Sequence, residues 1–282
     1  MGETQRETKD HWSSKNYSAA ANFVPLLTQT VVSYLSPQPT DHILDLGCGD
    51  GILTAKLASA CSQGTITGLD SSSSMISSAK ASKAGSNTTY RVADCGNLAK
   101  SAPDVLTGTW DKVFSNAAMH WILRAPDART TLFRDVFAAL KPGGAFVFEQ
   151  GGAGNVAEAR TALLAGLVAH GVSLAAAREA DPWFFPSETW MRGALEDAGF
   201  VVEKVELEYR ATRLTAADEK GTGGLEGWVR LFGAQFLDAV EEGKRDGVVR
   251  WVLDVLESSC KRDDGSWWVG YVRLRAVARK PE

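Results

Sequence analysis

Three aspartates end or follow apolar runs in the first hundred residues of the chain. Asp45 lies in "LDLGCGDG", Asp70 ends "TITGLD" and Asp94 ends "TTYRVAD". Each could be an ordinary polar cap on a strand end, but three in succession favour a shared ligand site. Asp70 stands 23 residues after Gly47, and an acidic residue about 20 positions after a glycine-rich turn binds ribose hydroxyls in nucleotide-binding folds. This spacing predicts a ligand that contains a nucleoside, and Asp94 could accept a hydrogen bond from an adenine amino group.

The glycine-rich stretch at residues 44–51 indicates what kind of nucleoside compound could bind. Its glycines alternate, whereas the dinucleotide motif G-x-G-x-x-G needs a third glycine where this chain has Ile52. Glycines lack a Cβ, so the backbone can lie directly against a ligand. The carboxylate of Asp45 would attract a cationic group and repel a pyrophosphate. A tight structural turn is the alternative interpretation.

The elements that must position these residues alternate between apolar runs and helical patterns. Such alternation predicts βαβ units, a parallel sheet and helices on both of its faces. Ligands bind such sheets at the carboxyl ends of the strands, which is where the three aspartates fall. The predicted strands cover residues 42–46, 65–70, 88–94, 110–116 and 145–150, and the predicted helices between them cover 52–61, 74–83 and 130–140, with a turn at "KPGG" before the last strand.

The pattern changes after residue 154. Two helix-rich stretches are additional to the helices that an α/β sandwich needs. We expect them to form a helical cap for the acceptor. The alternating stretches 201–213 and 267–280 predict an antiparallel edge on the sheet. The predicted fold is therefore α/β: a Rossmann-like, doubly wound, mostly parallel seven-stranded sheet with an antiparallel C-terminal edge strand and a helical cap. The predicted divisions are N-terminal lid helices over 1–40, an α/β core over 41–154, 187–213 and 267–282, and a cap over 155–186 and 214–266.

These stretches resemble the motifs of the class I S-adenosylmethionine-dependent methyltransferases. The likeness lies in "LDLGCGDG", in "LD" at 69–70, in "AD" at 93–94 and in "LKPGG" at 140–144. S-adenosylmethionine is a sulfonium without phosphate, which agrees with an acidic glycine-rich turn. By this resemblance the cofactor-binding residues are Asp45, Gly47, Cys48 and Gly49 for the methionyl part, Asp70, Ser71 and Met75 for the ribose, Asp94 and Cys95 for the adenine, and Asn116 as a cofactor or turn contact.

A narrower resemblance is to the trans-aconitate methyltransferase-like subgroup. In that subgroup a Ser-Asn-Ala segment ending in Gln-Trp or His-Trp follows the fourth strand, and "WDKVFSNAAMHWI" (110–122) is similar. Later stretches such as "GWVRLFGAQFL" and "DGSWWVGYVRLRAVARKP" are similar too, so the likeness covers most of residues 10–280. His120 departs from the Gln that is commonest in the bacterial enzymes. The resemblance therefore implies the methyl donor and leaves the acceptor open.

His120 is the predicted catalytic residue. Methyl transfer needs nucleophile, methyl carbon and sulfur in line in a dry site. A carboxylate acceptor is ionised at neutral pH and needs no base, whereas a hydroxyl benefits from one, for which His is the usual choice. His120 follows Asn116 by one helical turn beyond the fourth strand, so it could act as a base or as a hydrogen-bond donor to a substrate carboxylate. A His that caps a buried turn is the alternative.

Aromatic residues are predicted around the two ligands. Tyr17 and Trp12 lie in "DHWSSKNYSAAANF", a segment that in the resembling subgroup folds over the cofactor, where the Tyr17 phenol would bind the cofactor carboxylate. Trp121 could wall the acceptor pocket or pack in the core. Trp228 belongs to an aromatic helix face that could do either.

Arginines could pair with carboxylates of an acceptor through a forked guanidinium. Arg213, Arg230 and Arg273 are the candidates, although exposed arginines on alternating strands are common. The predicted substrate-binding set is Trp12, His120, Trp121, Arg213 and Trp228.

The composition limits the possible partners. The chain of 282 residues has a formal net charge of −4 and no basic block, which argues against a nucleic-acid partner. No apolar run is long enough to span a membrane, and the N-terminus lacks the apolar core of a secretory signal, so we expect a cytoplasmic protein. The four cysteines and four histidines show no metal-type spacing, and no metal is expected.

The sequence thus predicts an S-adenosylmethionine-dependent methyltransferase that acts on a small-molecule acceptor. The expected reaction is O-methylation of a carboxylate or hydroxyl group by in-line displacement. A protein that binds S-adenosylmethionine without transferring its methyl group is the alternative. The sequence specifies neither the acceptor nor the oligomeric state.

Overall fold

The computed structural model describes residues 28–83, 85–216 and 223–282. Their strands form one seven-stranded sheet in the order β3-β2-β1-β4-β5-β7-β6. The strands are β1 (His42–Leu46), β2 (Thr65–Asp70), β3 (Thr88–Val92), β4 (Trp110–Asn116), β5 (Leu140–Gly151), β6 (Val201–Arg213) and β7 (Trp268–Arg279).

Helices cover both faces of this sheet and one end of it. The helices of the described residues are α1 (Gln29–Leu35), α2 (Ile52–Ala60), α3 (Ser73–Lys83), α4 (Leu98–Ser101), α5 (Met119–Ile122), α6 (Ala128–Ala139), α7 (Ala157–Ala169), α8 (Leu174–Glu179), α9 (Glu188–Asp197), α10 (Gly224–Phe232), α11 (Ala234–Leu237) and α12 (Arg245–Cys260), with 3₁₀ turns at Pro103–Val105 and Glu242–Lys244. No helix in this part of the chain has both the length and the apolar composition needed to cross a bilayer.

The sheet confirms the predicted α/β class and mostly parallel topology. Strands β1 to β5 are parallel, and β7 runs antiparallel to both β5 and β6. The C-terminal strand β7 lies between β5 and β6, so the outer edge belongs to β6. Burial agrees with this order: most of β7 is buried, as an interior strand requires, whereas β6 keeps several exposed side chains.

The strand order reverses between β1 and β4, which are neighbours in the sheet. The strands β2 and β3 lie on one side of β1, and β4 and β5 lie on the other. The loops after β1 and β4 then lead to opposite sides, which opens a crevice at their carboxyl ends. Strand β1 pairs in parallel with β2 and β4, and β2 pairs in parallel with β3. All four strands therefore end at the same edge of the sheet. The three aspartates predicted to share a site are therefore brought together by topology.

Two elements differ from those predicted by more than one or two residues at an end. The "KPGG" stretch belongs to β5, because the backbone of Gly143 and Gly144 pairs with Lys280 through hydrogen bonds of 3.0 Å. The long helical pattern after residue 155 is divided into α7 and α8, because the backbone between them turns through Gly171, whose φ is +90°. Glycine adopts that conformation without a Cβ penalty.

Three apolar clusters hold these layers together. One lies between the sheet and α6 and α9 and includes Phe146 and Phe148, and another lies against α1 and includes Val31. The third joins α7, α10 and α12 around Trp228 and reaches the sheet through Tyr271 of β7. Complete burial of each large apolar side chain contributes about 1.5–3 kcal/mol. The third cluster fixes the helical segments beside the carboxyl end of β5.

A buried ion cluster joins the antiparallel strands. Glu149 of β5 is 2 % exposed and accepts hydrogen bonds from Arg275 Nε at 2.6 Å and Arg273 Nε at 3.0 Å, with Arg210 Nη2 at 3.4 Å. Burial alone would raise the pKa of Glu149, but the arginines, Arg273 first, hold it below its ordinary value. The carboxylate therefore stays charged, and its stabilisation is present above the ordinary pKa and lost as the pH falls through the folded pKa.

We expect Glu149→Gln to lower the free energy of unfolding by about 3 kcal/mol or more, because the buried Arg273 and Arg275 and the half-buried Arg210 lose the carboxylate that they share. Urea denaturation near neutral pH measures the loss. Glu203→Gln is the matched control, since Glu203 pairs with Arg279 on the exposed side of the sheet, where such pairs contribute about 0–1 kcal/mol. Equal losses in the two variants would contradict this account of the cluster.

Candidate functional site

A cavity of about 860 Å³ opens at the carboxyl ends of β1 to β4. Its size is typical of sites for a cofactor or small molecule. Glu179, Pro182 and Gln235 from the helical segments line it together with the strand ends. It brings together all the predicted cofactor residues within the described part of the chain: Asp45, Gly47, Cys48, Gly49, Asp70, Ser71, Met75, Asp94, Cys95 and Asn116. Tyr17 and Trp12, and with them most of the predicted lid, lie outside the described residues.

The glycine turn after β1 forms one wall of this cavity. Gly47 has φ +73°, and a Cβ there would lie 2.2 Å from the Cβ of Ala118, so no other residue fits. Gly49 also has a positive φ, and a Cβ there would meet nothing within 4 Å. The backbone at Gly49 is therefore open to a ligand. Its N–H donates to Asp70 Oδ2 at 2.9 Å, and Ser72 N–H donates to Asp70 Oδ1 at the same distance. Asp70 thus holds the turn in place.

Asp45 is the buried acid of the cavity. Its side chain is 2 % exposed and accepts a hydrogen bond of 2.7 Å from Thr54 Oγ1. Burial raises the pKa of Asp45 to about 7, the Thr54 bond opposes that rise, and the charge of Asp70 adds to it. A cationic ligand group beside Asp45 would favour the ionised carboxylate.

Other atoms of the cavity also fit a polar ligand. Asn116 Oδ1 is buried without a hydrogen-bond partner within residues 28–83, 85–216 and 223–282. Such an acceptor normally has a partner, so it fits a donor on a bound molecule. The thiols of Cys48 and Cys95 lie at the same wall, and burial raises the pKa of each far above its ordinary value. Both thiols therefore stay neutral and serve as packing groups.

Comparison with known proteins agrees with this geometry. Residues 43–144 match the family described as a methyltransferase domain. Over 272 residues the chain is 38 % identical to an uncharacterised methyltransferase of Schizosaccharomyces pombe, covering 96 % of this chain and 99 % of that protein. The chain belongs to the class I S-adenosylmethionine-dependent methyltransferases. Its cofactor is S-adenosyl-L-methionine, which has the nucleoside and the cationic groups that the cavity fits.

Other similarities of this methyltransferase are weaker. It is 28 % identical to a trans-aconitate 2-methyltransferase of Methylobacterium radiotolerans, over 84 % of this chain and 86 % of that one. A solved structure from Bacillus halodurans, described as a methyltransferase, superposes with a TM-score of 0.58 at 13 % identity and covers 91 % of this chain and all of that one. The structural likeness shows the fold alone.

A second, smaller cavity of about 60 Å³ adjoins the first, and Ala117 and Trp121 line both. Ala117 has φ +57° although it is not glycine, a conformation that costs about 1–2 kcal/mol. Its N–H is held at 2.8 Å by the carbonyl of Glu149. Such strain is often found at functional sites of enzymes. Here it turns the chain sharply from β4 into α5 and places His120 at the small cavity.

His120 accepts a backbone hydrogen bond through one nitrogen of its buried ring. Its ring is 7 % exposed, and Nδ1 accepts the backbone N–H of Gly151 at 3.3 Å. Burial lowers the pKa of His120 well below its ordinary value, and the positive charge of Arg273 lowers it further. Because Nδ1 is an acceptor, the proton of the neutral ring lies on Nε2. The geometry therefore favours donation from Nε2 over proton abstraction by the imidazole.

The other predicted acceptor residues have different positions. Trp121 and Trp228 line the small cavity, although Trp228 is only 1 % exposed and its Nε1 donates to Tyr271 Oη at 2.7 Å. Arg213 is exposed at the end of β6 and lines neither cavity. Arg273 is the arginine that the structure brings to His120. In the sequence, the one sign that Arg273 could be buried is that it lies between two apolar residues of a predicted strand.

Arg230 lines neither cavity. It is exposed and pairs with Glu226 and Asp246. Among the residues that the structure describes, no group of three or more His, Cys, Asp or Glu side chains is arranged to hold a metal ion.

We expect the affinity for S-adenosylmethionine to rise about tenfold between roughly pH 6 and pH 8. Below a pKa of about 7 the Asp45 carboxyl is protonated, and a cationic cofactor must displace that proton. Isothermal titration across this range measures the slope. Asp45→Asn should bind the cofactor weakly at every pH, without the slope. A slope that persists in the variant would assign the titration to another group.

Proposed function

We propose that the protein transfers the methyl group of S-adenosylmethionine to a carboxylate oxygen of a small-molecule acceptor. The carrying observation is the state of His120, whose acceptor nitrogen is already occupied by the Gly151 N–H. A histidine with that bond and a strongly lowered pKa is a poor general base. A carboxylate is ionised at neutral pH and needs none, whereas a hydroxyl acceptor would.

The residues of the large cavity have distinct parts in this proposal. When bound, S-adenosylmethionine supplies a methyl group on a positively charged sulfur. Asp45 and the backbone at residues 47–49 lie toward the methionyl part, with Asn116 as a contact. Asp70, with Ser71 and Met75, binds the ribose, and Asp94 with the backbone of Cys95 binds the adenine. Tyr17 stays the predicted contact of the cofactor carboxylate.

The acceptor enters from the side of the helical segments. His120 Nε2 donates to it and so orients it, which makes His120 the proposed catalytic residue. Trp121 lies between the two cavities and limits access of water to the reacting atoms. Trp228 closes the far wall, and Trp12 stays a predicted contact. Excluding water strengthens the attraction between a carboxylate and a sulfonium.

Two observations support a small carboxylic acid as the acceptor. Glu179, Pro182 and Gln235 of the helical segments line the cavity together with the strand ends. A macromolecular acceptor needs a more open approach than this. The name of the Methylobacterium radiotolerans relative identifies trans-aconitate as its acceptor, which is a carboxylic acid.

Methyl-labelled S-adenosylmethionine tests the proposal. The purified protein is offered a panel of carboxylic acids, phenols and amines, and the labelled products are treated with mild alkali. A carboxyl ester releases its label as methanol, and we expect alkali-labile label from the acids alone. Alkali-stable label on a phenol or amine would contradict carboxylate transfer. Cofactor binding without transfer to any of the panel would favour a protein that binds S-adenosylmethionine but does not transfer its methyl group.

Two variants of His120 separate donation from base catalysis in the same assay. His120→Gln keeps an N–H donor but has no basic nitrogen, so it should retain most of the activity. His120→Phe removes the donor and should lower kcat/KM at least about tenfold. The kcat of the wild type should be flat on either side of neutral pH. Equal inactivity of both variants, together with a kcat that rises through a single ionisation, would show that His120 is a base.

A further inference from the structure

Three side chains that line the small cavity carry N–H donors for which the described part of the chain offers no acceptor. The donors are His120 Nε2, the side-chain amide Nδ2 of Asn155, and the terminal guanidinium nitrogens of Arg273. The three side chains are 7 %, 4 % and 4 % exposed. Donors in such a protected place are normally satisfied by protein, by water or by a ligand. Three such donors around one cavity indicate a site for an acceptor-rich group.

The orientation of Asn155 is fixed by the backbone. Its Oδ1 accepts the N–H of Val272 at 2.9 Å, so the amide cannot be turned the other way without losing that bond. Nδ2 therefore lies on the side of Gly151, where a Cβ would come within 2.7 Å of it. Gly151 is also the residue whose N–H fixes the ring of His120. Gly151 thus fixes the His120 ring through its N–H and, because it has no Cβ, leaves room for the Asn155 amide.

Arg273 supplies the charge. Only its Nε contacts Glu149, at 3.0 Å, which leaves both terminal nitrogens without a carboxylate partner among the described residues. The Tyr271 ring lies beside the guanidinium, with its centroid 5.9 Å from Cζ. Glu149 also pairs with Arg210 and Arg275, so its single negative charge is shared by three arginines. Arg275 has Glu206 and Glu208 as further partners, whereas Glu149 is the one carboxylate that pairs with Arg273 among the described residues.

The size and walls of the cavity limit what these donors can hold. A volume of about 60 Å³ accommodates one small polar group. Aromatic rings form much of the wall, among them Trp121, Trp183 and Phe185. A carboxylate carries one negative charge and can place one oxygen among these donors, while its second oxygen stays outside the donor group. A hydroxyl or a neutral amide would bring no negative charge to pair with Arg273.

We propose that His120, Asn155 and Arg273 form a subsite that binds the acceptor's carboxylate, the one that is methylated. This inference rests on the proposed function. The donors hold one oxygen, and the second faces the large cavity past Ala117 and Trp121. That oxygen forms the bond to the methyl carbon while the carbon–sulfur bond breaks with its electron pair on sulfur, and no proton moves. The product is a neutral ester, so it loses the charge attraction to Arg273 and is released.

Equilibrium binding tests the subsite without any turnover. The full-length protein, loaded with S-adenosylhomocysteine, is titrated with hexanoate, with methyl hexanoate and with inorganic phosphate at constant ionic strength. Tryptophan fluorescence reports binding, because Trp121 and Trp183 line the cavity. We expect saturable binding of hexanoate and none of the ester. Equal binding of the ester or of phosphate, or no saturable binding of hexanoate, would overturn the subsite.

Variants assign the binding to the named donors. Arg273→Gln should weaken hexanoate at least about tenfold, and Arg273→Lys, which keeps the charge but loses the fork, should have an intermediate effect. Asn155→Asp keeps the acceptor for Val272 N–H and replaces the donor with a repelling oxygen, so it should weaken binding as strongly. Arg279→Gln is the matched control, an exposed arginine of the same strand, and should bind as the wild type does.

The outcomes separate this proposal from the proposed function. Wild-type affinity in both Arg273→Gln and Asn155→Asp overturns the subsite, even if alkali-labile product is formed. Selective binding of hexanoate that these variants weaken supports the subsite, even if the transfer assay gives no ester. The urea midpoint and the S-adenosylhomocysteine affinity are measured on each variant. Wild-type values show that the variant has lost only its binding of the carboxylate.

Discussion

The carboxyl end of β5 is the point on which the acceptor side of the molecule depends. The side chain of Glu149 holds Arg273 and Arg275, and its carbonyl accepts the N–H of Ala117. Two residues later, the N–H of Gly151 fixes the ring of His120. One strand end thus joins the antiparallel strands, stabilises a strained turn after β4 and sets the proton position on a buried imidazole. A substitution of Glu149 removes the ion pairs directly, whereas the contacts with Ala117 and His120 are made by the backbone.

The two cavities have complementary chemistry. The large one places carboxylates, Asp45 and Asp70 among them, where a cationic cofactor binds. The small one presents N–H donors and a guanidinium. A sulfonium and a carboxylate would be drawn into adjoining sites by opposite local charges. In a reaction that neutralises both charges, the protein needs to align the two ligands and exclude water, and it has no need to move a proton.

The cofactor side could be predicted from sequence because its residues follow strand ends in short, local motifs. Gly47, Asp70 and Asp94 come together in the fold because the parallel strands that precede them end at one edge of the sheet. The acceptor side could not be predicted in the same way. Asn155 and Arg273 are far apart in the chain, and β7 inserts between β5 and β6 to bring them together. Arg213, Arg230 and Arg273 are all candidates for pairing with a carboxylate, and the alternation alone does not distinguish the buried Arg273 from the exposed Arg213, which alone enters the predicted substrate-binding set.

The role of His120 shows a second limit of sequence reasoning. Its position beyond β4 predicts a functional residue, but base and donor differ only in which ring nitrogen is occupied. That is decided by Gly151 N–H, 31 residues away. No pattern around His120 carries this information, because the contact is made across the sheet.

The most direct test of the account is the protonation state of His120, measured by nitrogen-15 NMR on protein labelled at histidine. His120→Gln assigns the resonances by their disappearance. The account predicts a neutral ring with its proton on Nε2, unchanged as the pH is lowered through 6.5, the ordinary pKa of histidine. A ring that becomes an imidazolium near that pH, or one protonated on Nδ1, would contradict it and would restore His120 as a candidate base.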